Sequence, residues 1–368
     1  MRGFGAVLRK EALQMARDRG TVRLALMIPV FQLVLFGLID TNVEDVPTAV
    51  FDQSRTAESR ALLEQFENTG VFRIVLAVAS RDQLHEAIVA GRASAGIEIP
   101  PDFARRRLRG QPADFLVLID GSDSSISSQT LAAANGVALN RSLDDLRSRT
   151  GVRDLPFRAH PLLLFNPDSR SANLLIPGLL AILLTFSGTL LATFAIVRER
   201  ERGTLEQLMV TPVSPVGVVL GKLLPYLLLG FVQLLLIIVL MTALFRVPIH
   251  GSLALLCALS LVYLLALLSL GLLVSSISKT HIEASQIAQM LLLPSVMLSG
   301  YIFPISSLPG FIQPVSRLLP ATHFIAISRG IIIRGAGFVE LWPSVAALLA
   351  IAVVLVAGSA RAFRKTIL

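Results

Sequence analysis

Residues able to do covalent or metal chemistry are sparse in this chain, and their spacing is unfavourable. The histidines His85, His160, His250, His281 and His323 offer no pair at metal-ligand spacing on one helix. His281-Ile282-Glu283 lacks the order and spacing of H-E-x-x-H, which disfavours a metalloprotease. Cys257 is the only cysteine, so no disulfide forms within the chain and the redox compartment cannot be read from cysteine usage. Gly217-Val218-Val219-Leu220-Gly221-Lys222-Leu223 superficially has the look of a phosphate loop. Its spacing is one residue short, and Leu223 stands where a Ser or Thr would hold magnesium. No other stretch offers a nucleotide-binding loop, and no nucleophile has an evident base.

The polar side chains that remain fall into three groups. Lys10, Glu11, Arg17 and Asp18 lie in a stretch where Phe4, Val7, Leu8, Ala12 and Met15 recur at helical spacing, which describes an amphipathic surface helix. Gln32, Thr185, Thr189, Gln233, Gln286, Gln289 and Ser299 are neutral polar residues within apolar runs. Such residues knit helices together by hydrogen bonds, and as a set they could also line a path for a solute. The third group is the most unusual, the run Arg198-Glu199-Arg200-Glu201-Arg202-Gly203-Thr204-Leu205-Glu206 continuing to Pro215. Within it, Thr204 to Val210 reads as a short helix that starts near Gly203-Thr204, halts before Pro212 and offers Leu205, Leu208 and Met209 on one face.

The elements that position these groups are membrane spans. Of the 368 residues 54% are hydrophobic and 16% charged, with a mean hydropathy of +0.70, too apolar for an ordinary soluble domain. Five uncharged apolar runs cover 174–197, 223–245, 253–275, 284–303 and 341–360, each long enough for the roughly 20 residues a helix needs to cross the hydrocarbon. A weaker run, 24–39, is extended by Arg23 snorkelling to the interface, and the long basic segment before it favours an uncleaved anchor over a signal peptide. The formal charge of +8 follows topology: all four lysines, Lys10, Lys222, Lys279 and Lys365, fall in segments that six spans would place on one side of the membrane with both termini. This distribution replaces the nucleic-acid reading that so basic a chain would otherwise invite. No ionisable residue stands at mid-span, which weakens a proton- or sodium-coupled mechanism.

Residues 41–172 read instead as a soluble α/β domain inserted after the first span. Strands are expected at 48–51, 72–78, 95–99 and 115–119, helices at 57–66 and 82–90, and a long helix at 127–149. The fold class is therefore an α-helical polytopic membrane protein of six transmembrane helices, with an α/β extracytoplasmic domain between the first two. The divisions are an amphipathic helix at 1–21, a first span at 22–40, the domain at 41–172 and the remaining spans at 173–368. Pro304, Pro309, Pro314 and Pro320 break the apolar connection 304–320 into re-entrant or interfacial pieces.

The string from Glu199 through Gly203-Thr204-Leu205-Glu206-Gln207-Leu208 to Thr211-Pro212, and on to Leu220-Gly221-Lys222, resembles the first cytoplasmic loop of type 2 ABC transporter permeases. Leu298-Ser299-Gly300-Tyr301-Ile302-Phe303-Pro304, Leu319-Pro320-Ala321-Thr322-His323 and Arg329-Gly330 are similar to the family's fifth span and re-entrant segment. With Lys10-Glu11 and Arg17-Asp18 at the start, the resemblance covers the chain.

The resemblance implies a permease subunit of an ATP-driven exporter, not itself an enzyme, in a bacterial inner membrane with both termini cytoplasmic. It implies a paired permease, a homodimer or related heterodimer, and a separate ABC ATPase subunit carrying ATP and magnesium. That ATPase would dock on the amphipathic start and on the loop 198–222, with Glu199, Glu201, Gly203, Thr204, Leu205, Glu206, Leu208, Thr211 and Pro212 as coupling residues. The large domain is similar to that of bacterial drug-efflux permeases that work with a periplasmic adaptor. The expected cargo is an amphipathic drug or lipid-like solute, and membrane lipids are the surrounding partner. A membrane-anchored sensor or assembly scaffold is the alternative, and it would need neither the 199–215 loop nor the proline-rich segment.

Overall fold

A computed structural model describes residues 4–39, 42–122, 124–150, 165–166, 170–201, 215–278 and 280–367. The chain divides into two compact units, one formed by Met1–Asp40 with Leu162–Leu368 and the other by Thr41–Pro161.

The first unit is helical. Helix α1 (Phe4–Arg17) is separated from α2 (Arg19–Gly37) by Asp18, whose carboxylate accepts hydrogen bonds from the Thr21 N–H (3.1 Å) and hydroxyl (2.7 Å). This N-cap satisfies a backbone donor that would otherwise be orphaned, and it starts a new helix at an angle the preceding one cannot continue. Among the described residues, five helices are long and apolar enough to cross a membrane: Arg19–Gly37, Ser171–Phe194, Leu220–Ala243, Leu253–Ile277 and Phe338–Ala362. The second, third and fifth of these lie within α7 (Ser171–Glu201), α8 (Pro215–Ala243) and α13 (Phe338–Ile367), and the fourth is α9. The apolar run expected to span at 284–303 is cut short. Its helix α10 (His281–Leu298) carries His281, Glu283, Gln286 and Gln289 in its first half and ends before Gly300, whose positive φ of 83° turns the chain out of the helix.

Helix α7 forms the centre, with 72% of its apolar window buried against 11% for α2. It runs alongside α9 in the same direction: Thr185 meets Tyr263, and eight residues further on Thr193 donates to the Gly271 carbonyl at 3.2 Å. A Cβ at Gly271 would stand 2.5 Å from the Thr189 carbonyl oxygen, so only glycine permits this separation of the two helices. The proline-rich connection 304–320 resolves into a single turn of 3-10 helix at Ile305–Ser307 and the five-residue helix α11 (Gln313–Arg317). Pro320, expected to break structure, instead opens α12 (Pro320–Ile332) from its first turn, where a missing N–H costs nothing. Arg329 of α12 donates to the Gly300 and Tyr301 carbonyls at 3.1 and 3.2 Å, holding the turn that ends α10. Ser328 ties α12 to α7 through the Pro177 carbonyl at 2.8 Å.

The second unit is α/β. Strands β1 (Val46–Asp52), β2 (Phe72–Ala77), β3 (Ala95–Ile99) and β4 (Leu116–Ile119) form a sheet in the order β2-β1-β3-β4. β1 pairs in parallel with both β2 and β3, so α3 (Ala57–Glu67) and α4 (Arg81–Val89) are crossovers, while β4 adds antiparallel at the edge. Alternation along β1 sends Val50 to one face and Ala49 to the other. The first face packs Leu62 and Phe66 of α3 with Ala134 and Val137 of α6 (Ser124–Thr150). The second face packs Leu84 and Ala87 of α4. The short helix α5 (Phe103–Leu108) precedes β4. After β4, the Ser122 backbone and hydroxyl hold the Asp120 carboxyl below its ordinary value.

Candidate functional site

A glutamate–histidine contact and a buried ion pair flank the segment between α7 and α8. Glu201, at the end of α7, accepts a hydrogen bond from the His281 N–H at 2.8 Å and lies 3.3 Å from its ring Nε2. The same imidazole sits 5.5 Å from the Phe194 ring on α7. On the far side of the segment, Lys222 of α8 is 1% exposed, with its Nζ 3.0 Å from Oε1 of Glu11, itself 3% exposed, on α1. Lys10 also approaches Glu11, at 3.1 Å. An ion pair this dry is tolerated only where the opposite charges are in contact, since isolated buried charges cost far more than they return.

Close packing makes the second contact possible. A Cβ at Gly221 would fall 2.9 Å from a Val7 methyl carbon, so the absent side chain lets α1 lie directly on the start of α8. The face α1 buries is Val7 and Glu11, whereas Ala12, expected on that face from periodicity, is exposed. A small cleft lined by Gln14, Met15 and Asp18 together with Leu191, Phe194 and Tyr226 brings the α1–α2 junction to the same end of the bundle as the Phe194–His281 contact.

Of the expected coupling residues, Glu201 is in this cluster and Glu199 lies on α7. Gly203, Thr204, Leu205, Glu206, Leu208, Thr211 and Pro212, and the short helix expected at 204–210, fall outside the described residues. Of the amphipathic start, Lys10 and Glu11 join the ion pair, Asp18 caps α2, and Arg17 ends α1 exposed.

The expected path residues separate into two sets. Thr185, Thr189 and Gln233 are buried in the bundle. The Thr185 hydroxyl shares a 2.5 Å hydrogen bond with Tyr263, whose ring stacks on Phe324 at 4.2 Å. Among the described residues, the Thr189 hydroxyl and both ends of the Gln233 amide have no hydrogen-bond partner, nor does the buried Gln32 oxygen. Gln286 and Gln289 are exposed on α10, and Ser299 is buried with its hydroxyl turned back to the Val296 carbonyl. The structure thus does not gather all seven on one surface.

Residues 19–361 match the family described as ABC-2 family transporter protein. The chain belongs to the ABC-2 transporter family. Among its relatives, "Probable multidrug ABC transporter permease YbhS" of Escherichia coli (strain K12) is 31% identical over 355 residues, 94% of this chain and 93% of that protein. "Probable multidrug ABC transporter permease YbhR" of the same organism is 26% identical over 364 residues, 98% of each chain. "Inner membrane transport permease YhhJ" is 30% identical over 334 residues, 87% of this chain and 86% of that protein.

In this ABC-2 permease the residue that sequence reasoning placed least well is Lys222. It was legible as a topology marker, as part of a false phosphate loop and as the end of the 198–222 loop that carries the family resemblance, but its contact with Glu11 was not. The contacts of His281, Tyr263 and Arg329 were not legible either, because each partner lies far along the chain.

Proposed function

We propose that this chain is the membrane-spanning half of an ATP-driven exporter, with α1 and the segment between α7 and α8 receiving the stroke of a separate ABC ATPase subunit that binds ATP and magnesium. The observation that carries this reading is the pair of anchors on that segment. Its leaving end is fastened through Glu201 to His281 on α10, and its return is fastened through Lys222 to Glu11 on α1. Displacement of the segment is therefore passed to four helices, α1, α7, α8 and α10. In this reading α10 makes the sixth crossing together with the turn after it. Both termini and the α7–α8 segment face the cytoplasm of a bacterial cell, and the α/β unit faces outward, where an adaptor protein would meet it. A second permease, identical or related, completes the translocation pathway. The exposed apolar side chains of α2, among them Met27 and Phe31, suit lipid or that second copy. The expected cargo is an amphipathic drug or lipid-like solute, and the word multidrug in the names of YbhS and YbhR supports the drug part of that reading.

Glu206 is the coupling residue to test, since Glu206→Gln keeps size and removes charge. In vesicles reconstituted with the ATPase, the variant is expected to assemble normally while substrate no longer stimulates hydrolysis and export is largely lost. Export at the wild-type rate would refute coupling through Glu206, and failure to assemble would make it a docking residue.

A further inference from the structure

The end of the helical unit remote from the Glu11–Lys222 pair carries a surplus of positive charge that the transport reading does not use. Three contacts bring its parts together. Arg170, just before α7, donates to the Phe245 carbonyl just after α8 at 3.1 Å. The His250 N–H, before α9, donates to the Ile332 carbonyl at the end of α12 at 3.1 Å. Arg329 of α12 holds the turn that follows α10. With Arg246, Arg317 and Arg334 this end has five arginines, and among the described residues of the unit Glu340 is the one carboxylate there. That carboxylate is engaged by the Gly337 N–H at 2.9 Å. Arg246, Arg317 and Arg334 are exposed, and among the described residues their guanidiniums form no hydrogen bond or ion pair.

Of these three, Arg334 is the one set against an apolar surface. Gly330 makes its seat: a Cβ there would lie 2.6 Å from a Leu341 methyl carbon and 3.1 Å from Nη2 of Arg334, so the missing side chain lets both lie over α12. Next along the chain, the first turns of α13 expose Phe338, Val339 and Trp342 by 47%, 81% and 54%, with the two aromatic rings 5.6 Å apart. Only 22% of the apolar window of α13 is buried, so this face meets whatever surrounds the unit. Aromatic side chains at the start of a membrane helix sit where headgroups meet acyl chains. Every lysine lies elsewhere in the chain, and the planar guanidinium of arginine is the better match for a phosphate, which it can meet with two donors.

From this combination we propose that Arg334 and the start of α13 hold an anionic phospholipid, with the guanidinium on the phosphate and Phe338, Val339 and Trp342 against the upper part of the acyl chains. A zwitterionic headgroup brings its own cation and leaves the surplus of arginine uncompensated, whereas phosphatidylglycerol brings a net negative charge. A soluble anion has no use for the apolar side chains. An acidic protein face would have to cover them at the level where the helix enters lipid. Charge-assisted hydrogen bonds from arginine to a phosphate are among the stronger available to a ligand. The site needs the chain to lie in a membrane, but neither a direction of crossing nor export, so failure of the transport reading would leave it untouched.

Trp342 is the only tryptophan, so the fluorescence of the unlabelled full chain reports on this site. The chain is reconstituted in phosphatidylcholine vesicles containing rising fractions of a quenching lipid, either phosphatidylcholine or phosphatidylglycerol brominated high on its acyl chains. Phosphatidylglycerol is expected to quench with a relative binding constant about fivefold that of phosphatidylcholine, the preference that one arginine at an anionic surface supplies. Arg334→Gln is expected to remove the preference while quenching by phosphatidylcholine stays unchanged, which shows the site still folded and still facing lipid. Arg334→Lys keeps the charge and is expected to retain part of the preference. Arg361→Gln, at the far end of α13, is expected to change nothing. Equal quenching by the two lipids in the parent chain, or a preference that survives Arg334→Gln, would overturn the proposal. So would an absence of quenching by either lipid, which would place protein against Trp342. An equal loss of quenching by both in Arg334→Gln would overturn it too, making Arg334 a support of the fold only.

Discussion

Gln233 is the residue whose environment is hardest to account for by packing. It is fully buried on α8, with neither end of its amide bonded to a described residue, although an orphaned buried polar group costs about 1–3 kcal/mol. One turn earlier Gly230 lies against Leu264 of α9, so the amide belongs to the tightly packed centre of the bundle. An amide kept there at a cost suits a group that finds its partner only during transport. Gln233→Leu is accordingly expected to leave the thermal midpoint unchanged or raised while export falls severalfold; a stable variant exporting normally would assign the residue to packing. Tyr263 is the contrasting case. Its hydroxyl is satisfied by Thr185 and by the Ala181 carbonyl at 3.1 Å, and its ring stacks on Phe324. Tyr263→Phe keeps the stack and removes the donor, with an expected loss of about 1 kcal/mol seen as a lower melting temperature.

Between elements, the contact of α1 with α8 is the one that joins packing to mechanism. Removing one member of a buried ion pair strands the other, at a cost of about 3–5 kcal/mol, whereas replacing both with apolar residues of similar volume is often neutral. Glu11→Leu and Lys222→Met are each expected to destabilise the assembled protein, Lys222→Met the less because Lys10 still faces Glu11, and the double variant is expected to recover part of that stability. A double-mutant cycle of melting temperatures reads this coupling directly, and additive losses would mean that the two charges do not act as a pair. If the pair relays force, the double variant regains stability without regaining coupled ATPase and export. Gly221→Leu, which intrudes on Val7, is expected to weaken α1 docking even with both charges intact.

For the whole molecule, the decisive quantity is which unit faces which side. Asp120 lies in the α/β unit and Glu206 in the segment after α7, so Asp120→Cys and Glu206→Cys in a Cys257→Ser background report on both. An impermeant thiol reagent added to intact cells is expected to label position 120 and spare 206; labelling of 206 before 120 would invert the topology. Replacing residues 48–165 with a short flexible linker is expected to keep the basal ATPase activity of the complex and abolish export if the α/β unit faces outward as proposed, since it would then be separated from the motor by the bilayer. Unchanged export would make the unit dispensable.

Patterns that repeat over short stretches were readable without coordinates. Strands expected at 48–51, 72–78, 95–99 and 115–119 correspond to β1 to β4, and the helices at 57–66, 82–90 and 127–149 to α3, α4 and α6. Of the six apolar runs expected to span, five correspond to α2, α7, α8, α9 and α13, since burial in lipid or protein imposes its period on neighbours a few residues apart, while the run at 284–303 gives the shorter α10. Proline misled the same reasoning at α12, because a residue that cannot continue a helix is well suited to begin one. What tertiary structure alone decided are the meetings of distant residues: Glu11 with Lys222, Glu201 with His281, and Arg107 with Arg141 around Glu58. Periodicity assigns a charged side chain to water unless its partner is near in sequence. These partners arrive only when helices pack, so whether such a charge is solvated or paired in the dry interior is settled by three-dimensional contact.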